Sequence, residues 1–267
     1  MRMYQIDAFT NRLFAGNPAA VVPLGDWPDD DTLLAIAAEN NLSETAFFVE
    51  GGAGGADYHL RWFTPEVEVE LCGHATLASA HVLFEHLGFT GDTIRFSTVH
   101  SGELAASRID GSIALDFPAR GHDPIDVETP LVRALGRQPA EVYRSTYNLL
   151  CVFENKREVL EIEPDPAGIA ALDAFGVIAT APGTRHDFVS RYFAPKAGVI
   201  EDPVTGSAHC SLAPYWSKRL GKSRLTAHQV SKRGGEMICE LGDNDRVRLI
   251  GKAMTYLVGE IAEAGAQ

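Results

Sequence analysis

The chain is short of basic residues, cysteine and long apolar runs, and each shortage closes off a class of function. Its 267 residues carry 23 Lys and Arg against 36 Asp and Glu, a formal net charge of −13. Phosphate recognition needs a basic face, so no nucleic-acid partner is expected. An anionic membrane surface is disfavoured on the same ground. No apolar run approaches the roughly 18 residues of a membrane-spanning helix. The opening "MRMYQIDAFT" lacks the apolar core of a secretion signal. Cys72, Cys151, Cys210 and Cys239 are far apart with no CxxC pair, which predicts reduced thiols in a cytoplasmic protein. The nine histidines show no HExxH or comparable ligand spacing, so the spacing predicts no metal site. With 45% hydrophobic and 22% charged residues, the composition is that of a globular protein with one large domain or two smaller ones.

What the chain does contain is a near-repetition. "RWFTPEVEVELCGHATLASAHVLFEHLG" (61–88) resembles "RYFAPKAGVIEDPVTGSAHCSLAPYWSKRLG" (191–221). Arg-aromatic-Phe-x-Pro recurs from Arg61 to Pro65 and from Arg191 to Pro195. Gly73 and Gly206, Gly88 and Gly221, and Gly102 and Gly235 are each 133 positions apart. Three matches in one register predict two homologous domains, 1–118 and 119–267, joined near "PARGHDPIDVETP" (118–130). A last strand over about 251–265 is expected to pack back onto the first.

Local patterns fill in each half. "YQIDAF", "AAVVPL", "TAFFV", "YHLRWF", "TIRFS" and "ELAASRI" read as strands, and Asp110-Gly111 as a two-residue hairpin turn. "DDDTLLAIAAENN" is an amphipathic helix with acidic residues at its start. "HATLASAHVLFEHLG" is small and apolar on nearly every face, so it belongs inside something. The predicted fold class is α+β, each domain a curled, barrel-like sheet around one buried helix. The second such helix, "GSAHCSLAPYWSKRLG", carries Pro214 and is expected to kink or to start with a loose turn.

Both buried helices begin at a glycine that ends a loop, Gly73 after Cys72 and Gly206 after Thr205. A helix start offers unpaired N–H groups and about half a positive charge, and glycine admits an anion close to the backbone. Ordinary capping accounts for one such start; two at equivalent places predict a carboxylate held where the halves meet. The ionisable neighbours differ. Glu44, Cys72 and His74 lie in the first half, whereas Asp202, Thr205 and Ser207 lie in the second, and Val69 stands where a counterpart of Asp202 would fall. Glu44 precedes a buried strand, "TAFFV". It is either a strand-edge carboxylate in water or a sheltered group with a task.

"DAFTNRLFAGNPAAVV", "NLSETAFF", "RWFTPEVEVELCGHATLASAHVLF" and "EDPVTGSAHCSLAPYW" occur in that order over nearly the whole chain. Together they resemble the PhzF-like family, named for an isomerase of phenazine biosynthesis. The resemblance implies two domains folded as in diaminopimelate epimerase, an active site between them, and a homodimer. It places the catalytic carboxylate on Glu44, the helix-start histidine on His74, the second acid on Asp202 and the serine on Ser207. Gly73, Gly206, Cys72 and Thr205 become substrate contacts. No metal or organic cofactor is implied.

The expected activity is a cofactor-independent proton shift on a small carboxylic acid, amino-acid-like or cyclic and unsaturated. Glu44 would serve as general acid/base and the helix starts would stabilise enolate-like charge. Two alternatives stay open. One is a racemase or epimerase using Cys72 or Glu44, although the epimerase pattern of a cysteine before each glycine is broken by Thr205. The other is a silent ligand-binding or regulatory protein. Cys72 reads as a reactive thiol or a packing residue. His81, His86 and His209 read as packing or solvent-facing, and Cys210 and Cys239 as core. Asn17-Pro18 reads as a turn before a strand, with a place beside the site equally open.

Overall fold

The computed structural model describes residues 1–262. In chain order the elements are β1 (Arg2–Ala8), β2 (Asn17–Leu24), α1 (Asp30–Asn40), β3 (Glu44–Glu50), β4 (Tyr58–Phe63), β5 (Glu68–Val69), α2 (Gly73–Glu85), β6 (Thr93–Ser97), β7 (Glu103–Ile109) and β8 (Ser112–Pro118). They continue with β9 (His122–Ile125), α3 (Thr129–Leu135), β10 (Glu141–Ser145), β11 (Asn148–Val152), α4 (Lys156–Leu160), α5 (Pro166–Ala170), β12 (Gly176–Pro182), β13 (Phe188–Phe193) and α6 (Gly206–Leu220). The chain closes with β14 (Arg224–Gln229), β15 (Gly235–Gly242), β16 (Arg246–Gly251) and β17 (Ala253–Glu260). The fold is mixed α+β. Among the described residues no helix is long and apolar enough to cross a membrane.

Two compact units divide the chain, one of Met1–Asp116 with the segment from Ile250 onward, the other of Phe117–Leu249. In the first, β17 pairs antiparallel with β1, and β1 antiparallel with β2. β2 runs parallel to β3, β3 antiparallel to β4, β4 parallel to β6, and β6 antiparallel to β7. In the second, β9 pairs antiparallel with β10, and β10 with β11. β11 is parallel to β12, β12 antiparallel to β13, β13 parallel to β14, and β14 antiparallel to β15. The same succession of strand directions therefore runs twice. Residues 263–265 of the expected last strand lie outside the described residues; β17 ends at Glu260.

The first unit is organised on α2, which packs against β1, β2 and β3. Every residue from Gly73 to Glu85 except His81 and Glu85 is buried. Two buried hydroxyls return to the helix's own carbonyls, Thr76 Oγ1 to Cys72 O at 2.6 Å and Ser79 Oγ to Ala75 O at 2.8 Å. Polar groups are thus tolerated in an apolar setting. Helix α1 starts at Asp29, whose side chain accepts from Thr32 N at 2.7 Å, and stops at Asn41 in the left-handed conformation. That stop, three residues before β3, sets where Glu44 emerges.

In the second unit α6 passes through Pro214 without a break in the helix. Proline removes the N–H that would bond the carbonyl four residues back, here that of Cys210. Arg120 N donates to that carbonyl at 2.9 Å, so a backbone group from outside the helix satisfies it. Two bidentate pairs repeat as well. Arg61 grips Glu68 through Nε at 2.8 Å and Nη2 at 2.7 Å, and Arg191 grips Glu201 at 2.7 and 2.9 Å. Each pair braces the loop that leads into its unit's helix, and fork-to-carboxylate geometry is the strong form of such contacts.

Candidate active site

Glu44 is the first residue of β3 and stands opposite Ala19 across the parallel β2–β3 pair. Its side chain is only 18% exposed, and His74 Nε2 approaches its Oε2 to 3.1 Å. This is ion-pair range, but the approach is off the line a hydrogen bond needs. No hydrogen-bond donor among the described residues reaches Oε2, which is itself buried. The residual exposure of Glu44 therefore belongs to its other atoms. The carboxylate is sheltered rather than solvated.

His74, the second residue of α2, is buried. Asn17, at the first position of β2, places Nδ2 3.1 Å from His74 Nδ1. An amide N–H there requires an unprotonated Nδ1, which puts the neutral ring's proton on Nε2, facing Glu44. A rotated amide would accept from Nδ1–H and suit the imidazolium. Either way Nε2 carries its proton beside the carboxylate, without a hydrogen bond between them. Asn17 owes its place to Gly16, where φ is +67° and an added Cβ would run into Ala8 O. The turn reading of Asn17-Pro18 therefore resolves into a strand start that orients the histidine.

Cys72 Sγ lies 3.5 Å from Nδ1 and 4.0 Å from Nε2 of His74. Burial, with the nearby Glu44 charge adding to it, pushes the Cys72 thiol up to about 11. It is a protonated thiol at neutral pH. Burial alone would lower the His74 pKa, yet it is raised well above 6.5, because Cys72 and Glu44 favour the charged ring. Since the thiol keeps its proton, the Glu44 carboxylate is the partner we hold responsible. Glu44, Cys72 and His74 place one ligand atom each within 4.8 Å of one another, a spacing a metal ion could also bridge.

The second unit carries its own cluster at the start of α6. Thr205 Oγ1 donates to Asp202 Oδ2 at 2.5 Å. Gln229, at the end of β14, accepts from Thr205 N at 2.9 Å and donates to Asp202 O at 2.6 Å and Thr205 Oγ1 at 3.2 Å. Gln229 is 1% exposed and nothing in the sequence singled it out. Gly206 is buried and Ser207 half-buried. The glutamate has no counterpart here. Gly176 opens β12 as Glu44 opens β3, and an added Cβ would meet Tyr192 Oη at 2.6 Å. Tyr192 bonds Asn148 Oδ1 at 3.0 Å. A phenol fills the room that the first unit gives to a carboxylate.

The remaining histidines are engaged otherwise. His209 Nδ1 meets Thr205 O at 2.7 Å, and burial pushes its pKa down to about 4. His81 and His86 both bond Thr255 Oγ1, at 2.9 and 2.7 Å. Cys210 and Cys239 are buried free thiols.

The chain matches the phenazine biosynthesis-like protein family, PhzC-PhzF, over residues 6–259. It belongs to that family. One PhzC-PhzF relative, from Pseudomonas aeruginosa and named an uncharacterized isomerase, is 50% identical over 261 residues, covering 98% of each chain. The crystal structure of a PhzF-family protein of Enterococcus faecalis superposes with a TM-score of 0.92 at 45% identity, covering 98% of both. A probable proline racemase of Agrobacterium radiobacter shares the fold alone, with a TM-score of 0.64 at 10% identity over 98% of this chain and 93% of that one. This PhzC-PhzF chain is an enzyme of the isomerase class.

Proposed function

We propose that the chain catalyses a cofactor-independent proton shift on a small carboxylic acid, amino-acid-like or cyclic and unsaturated, with Glu44 as the general acid/base. The observation that supports this reading best is the sheltered Glu44 carboxylate held 3.1 Å from the Nε2 of a histidine whose charged form it favours. The Glu44 carboxylate favours the charged form of the His74 ring. Glu44 removes a proton from a substrate carbon, and His74, with Nε2 3.1 Å from Oε2, holds the carboxylate by charge and leaves Oε1 for the substrate. The same oxygen returns the proton to a second carbon. Acid/base work of this kind is worth about 10² to 10⁴ in rate. The backbone N–H groups at Gly73 and His74 supply positive potential for a substrate carboxylate. For Asp202, Thr205, Gly206 and Ser207 the role is to orient or hold substrate.

The racemase reading based on Cys72 is weaker, because a buried thiol raised to about 11 is a poor base at neutral pH. We also assign the chain a homodimeric state and a cytoplasmic location, the former checked by sedimentation equilibrium. The function is tested by incubating the protein in D₂O with a library of amino acids and cyclic unsaturated acids. At least one acid should gain carbon-bound deuterium. A library that stays unlabelled while some member binds supports the ligand-binding alternative instead.

A further inference from the structure

His186, His228 and Glu236 are 42 and 8 positions apart along the chain, and no spacing rule joins them. The fold of the second unit does. His228 on β14 stands directly opposite Glu236 on β15, so their side chains share one face. His186 lies in the turn between β12 and β13, and its Nε2 is 3.3 Å from Glu236 Oε1. The His186 and His228 ring centres are 5.1 Å apart. One ligand atom from each of the three falls within 4.8 Å of the others. Tetrahedral zinc with bonds of about 2.0–2.1 Å to nitrogen and oxygen sets neighbouring ligand atoms about 3.3 Å apart, which is the His186–Glu236 separation found here.

The scaffold is fixed before any ion arrives. Gly183 N donates to Asp187 O at 3.2 Å, and an added Cβ on Gly183 would collide with His186 O. Asp187 then pins the turn to β14. Its carboxylate accepts from Thr226 N at 2.8 Å, Thr226 Oγ1 at 3.0 Å and Lys222 Nζ at 2.5 Å, and its own N donates to Thr226 O at 2.9 Å. Thr226 is two residues before His228 on the same strand, hence on the same face. On the far side Gly234 has φ +66°, and an added Cβ would lie 3.2 Å from His228 Nε2. The Glu236 side chain is 65% exposed, so an ion can enter from solvent.

We propose that His186, His228 and Glu236 form a binding site for a divalent first-row transition-metal ion, zinc, nickel or copper, with solvent in the remaining position. Two imidazoles and one carboxylate suit these ions and not magnesium or calcium, which demand oxygen ligands. The ion ties the β12–β13 turn to the β14–β15 hairpin and so stabilises the second unit; the site shares no residue with the proposed proton transfer.

The experiment uses the full chain without an affinity tag. Zinc titrated calorimetrically should bind at one equivalent to the wild type, and zinc should raise the thermal midpoint, because a ligand of the native state stabilises it. His228→Gln and Glu236→Gln should each weaken binding at least about tenfold, with circular dichroism checking that both fold. Cobalt(II) loaded in place of zinc should show d–d bands without sulfur-to-metal charge transfer. A charge-transfer band that vanishes in Cys72→Ala would place the ion at Glu44, Cys72 and His74 and overturn the proposal. So would zinc affinity unchanged in both variants, or no binding at millimolar zinc.

Discussion

Replacing Glu44 by Gln removes one charge and almost no volume, and the consequence is read at His74. At 3.1 Å two unit charges attract by about 5 kcal/mol if the effective dielectric constant is about 20. Burial of the imidazolium opposes this by several kcal/mol, so the net preference for the charged ring is the small difference between two large quantities. Removing Glu44 leaves burial acting with no carboxylate against it. The His74 pKa, raised well above 6.5 in the wild type, should fall in Glu44→Gln. The linkage sign follows. A histidine whose folded pKa exceeds its unfolded value of about 6.5 adds stability that is complete below that value. This contribution disappears as pH rises through the folded pKa. Wild type should therefore gain on Glu44→Gln in acid and lose that advantage toward alkaline pH. The assay is NMR titration of ¹⁵N-labelled imidazole in both proteins, with urea unfolding at matched pH values. A His74 titration that is identical with and without the carboxylate would refute the electrostatic account of the pair.

Three further outcomes follow from other residues. Cys72→Ala should keep substrate deuterium exchange within a few-fold of wild type, and Cys72 should resist iodoacetamide at pH 7, reacting readily only as the pH nears about 11. Gly16→Ala, placed at φ +67° against Ala8 O, should cost about 1–3 kcal/mol in denaturant unfolding and displace Asn17 from His74. Gln229→Leu strands the backbone N–H of Thr205 and the carbonyl of Asp202. It should lower stability by about 1–3 kcal/mol, measured by urea titration.

Short-range chemistry made much of this fold legible in the sequence. Asp110-Gly111 does turn β7 into β8, with both residues at positive φ, 47° and 70°, a pair of conformations whose twist matches that of the flanking strands. The all-round apolar "HATLASAHVLF" is the buried α2, and "TAFFV" lies within β3. Pro214 was legible only as a defect. Its remedy, a bond from Arg120 N to Cys210 O, joins residues 90 positions apart, and no local pattern encodes it. The short helices α3, α4 and α5 went unread for a related reason. At five to seven residues they are too brief to display a full apolar period.

Around the candidate site the same division holds. Glu44, Cys72 and His74 were marked by residue type and by the glycine at a helix start. Asn17, which bonds His74, and Gln229, which bonds Thr205 and Asp202, are uncharged amides whose meaning depends on which strands run side by side. The parallel β2–β3 pairing brings Asn17 and Glu44 to one end of the sheet, and both reach His74 from there. The mismatch between the halves was visible as a carboxylate without a counterpart. That Tyr192 occupies the corresponding room at Gly176 was not, since it depends on how two strands pack.

The most direct test of the account follows deuterium from D₂O into carbon-bound positions of the best acid found in the screen, with wild type and Glu44→Gln side by side. The account predicts steady incorporation by the wild type and a loss of about 10² to 10⁴ in rate for the variant, with the fold intact by circular dichroism. Incorporation by Glu44→Gln at the wild-type rate would contradict it.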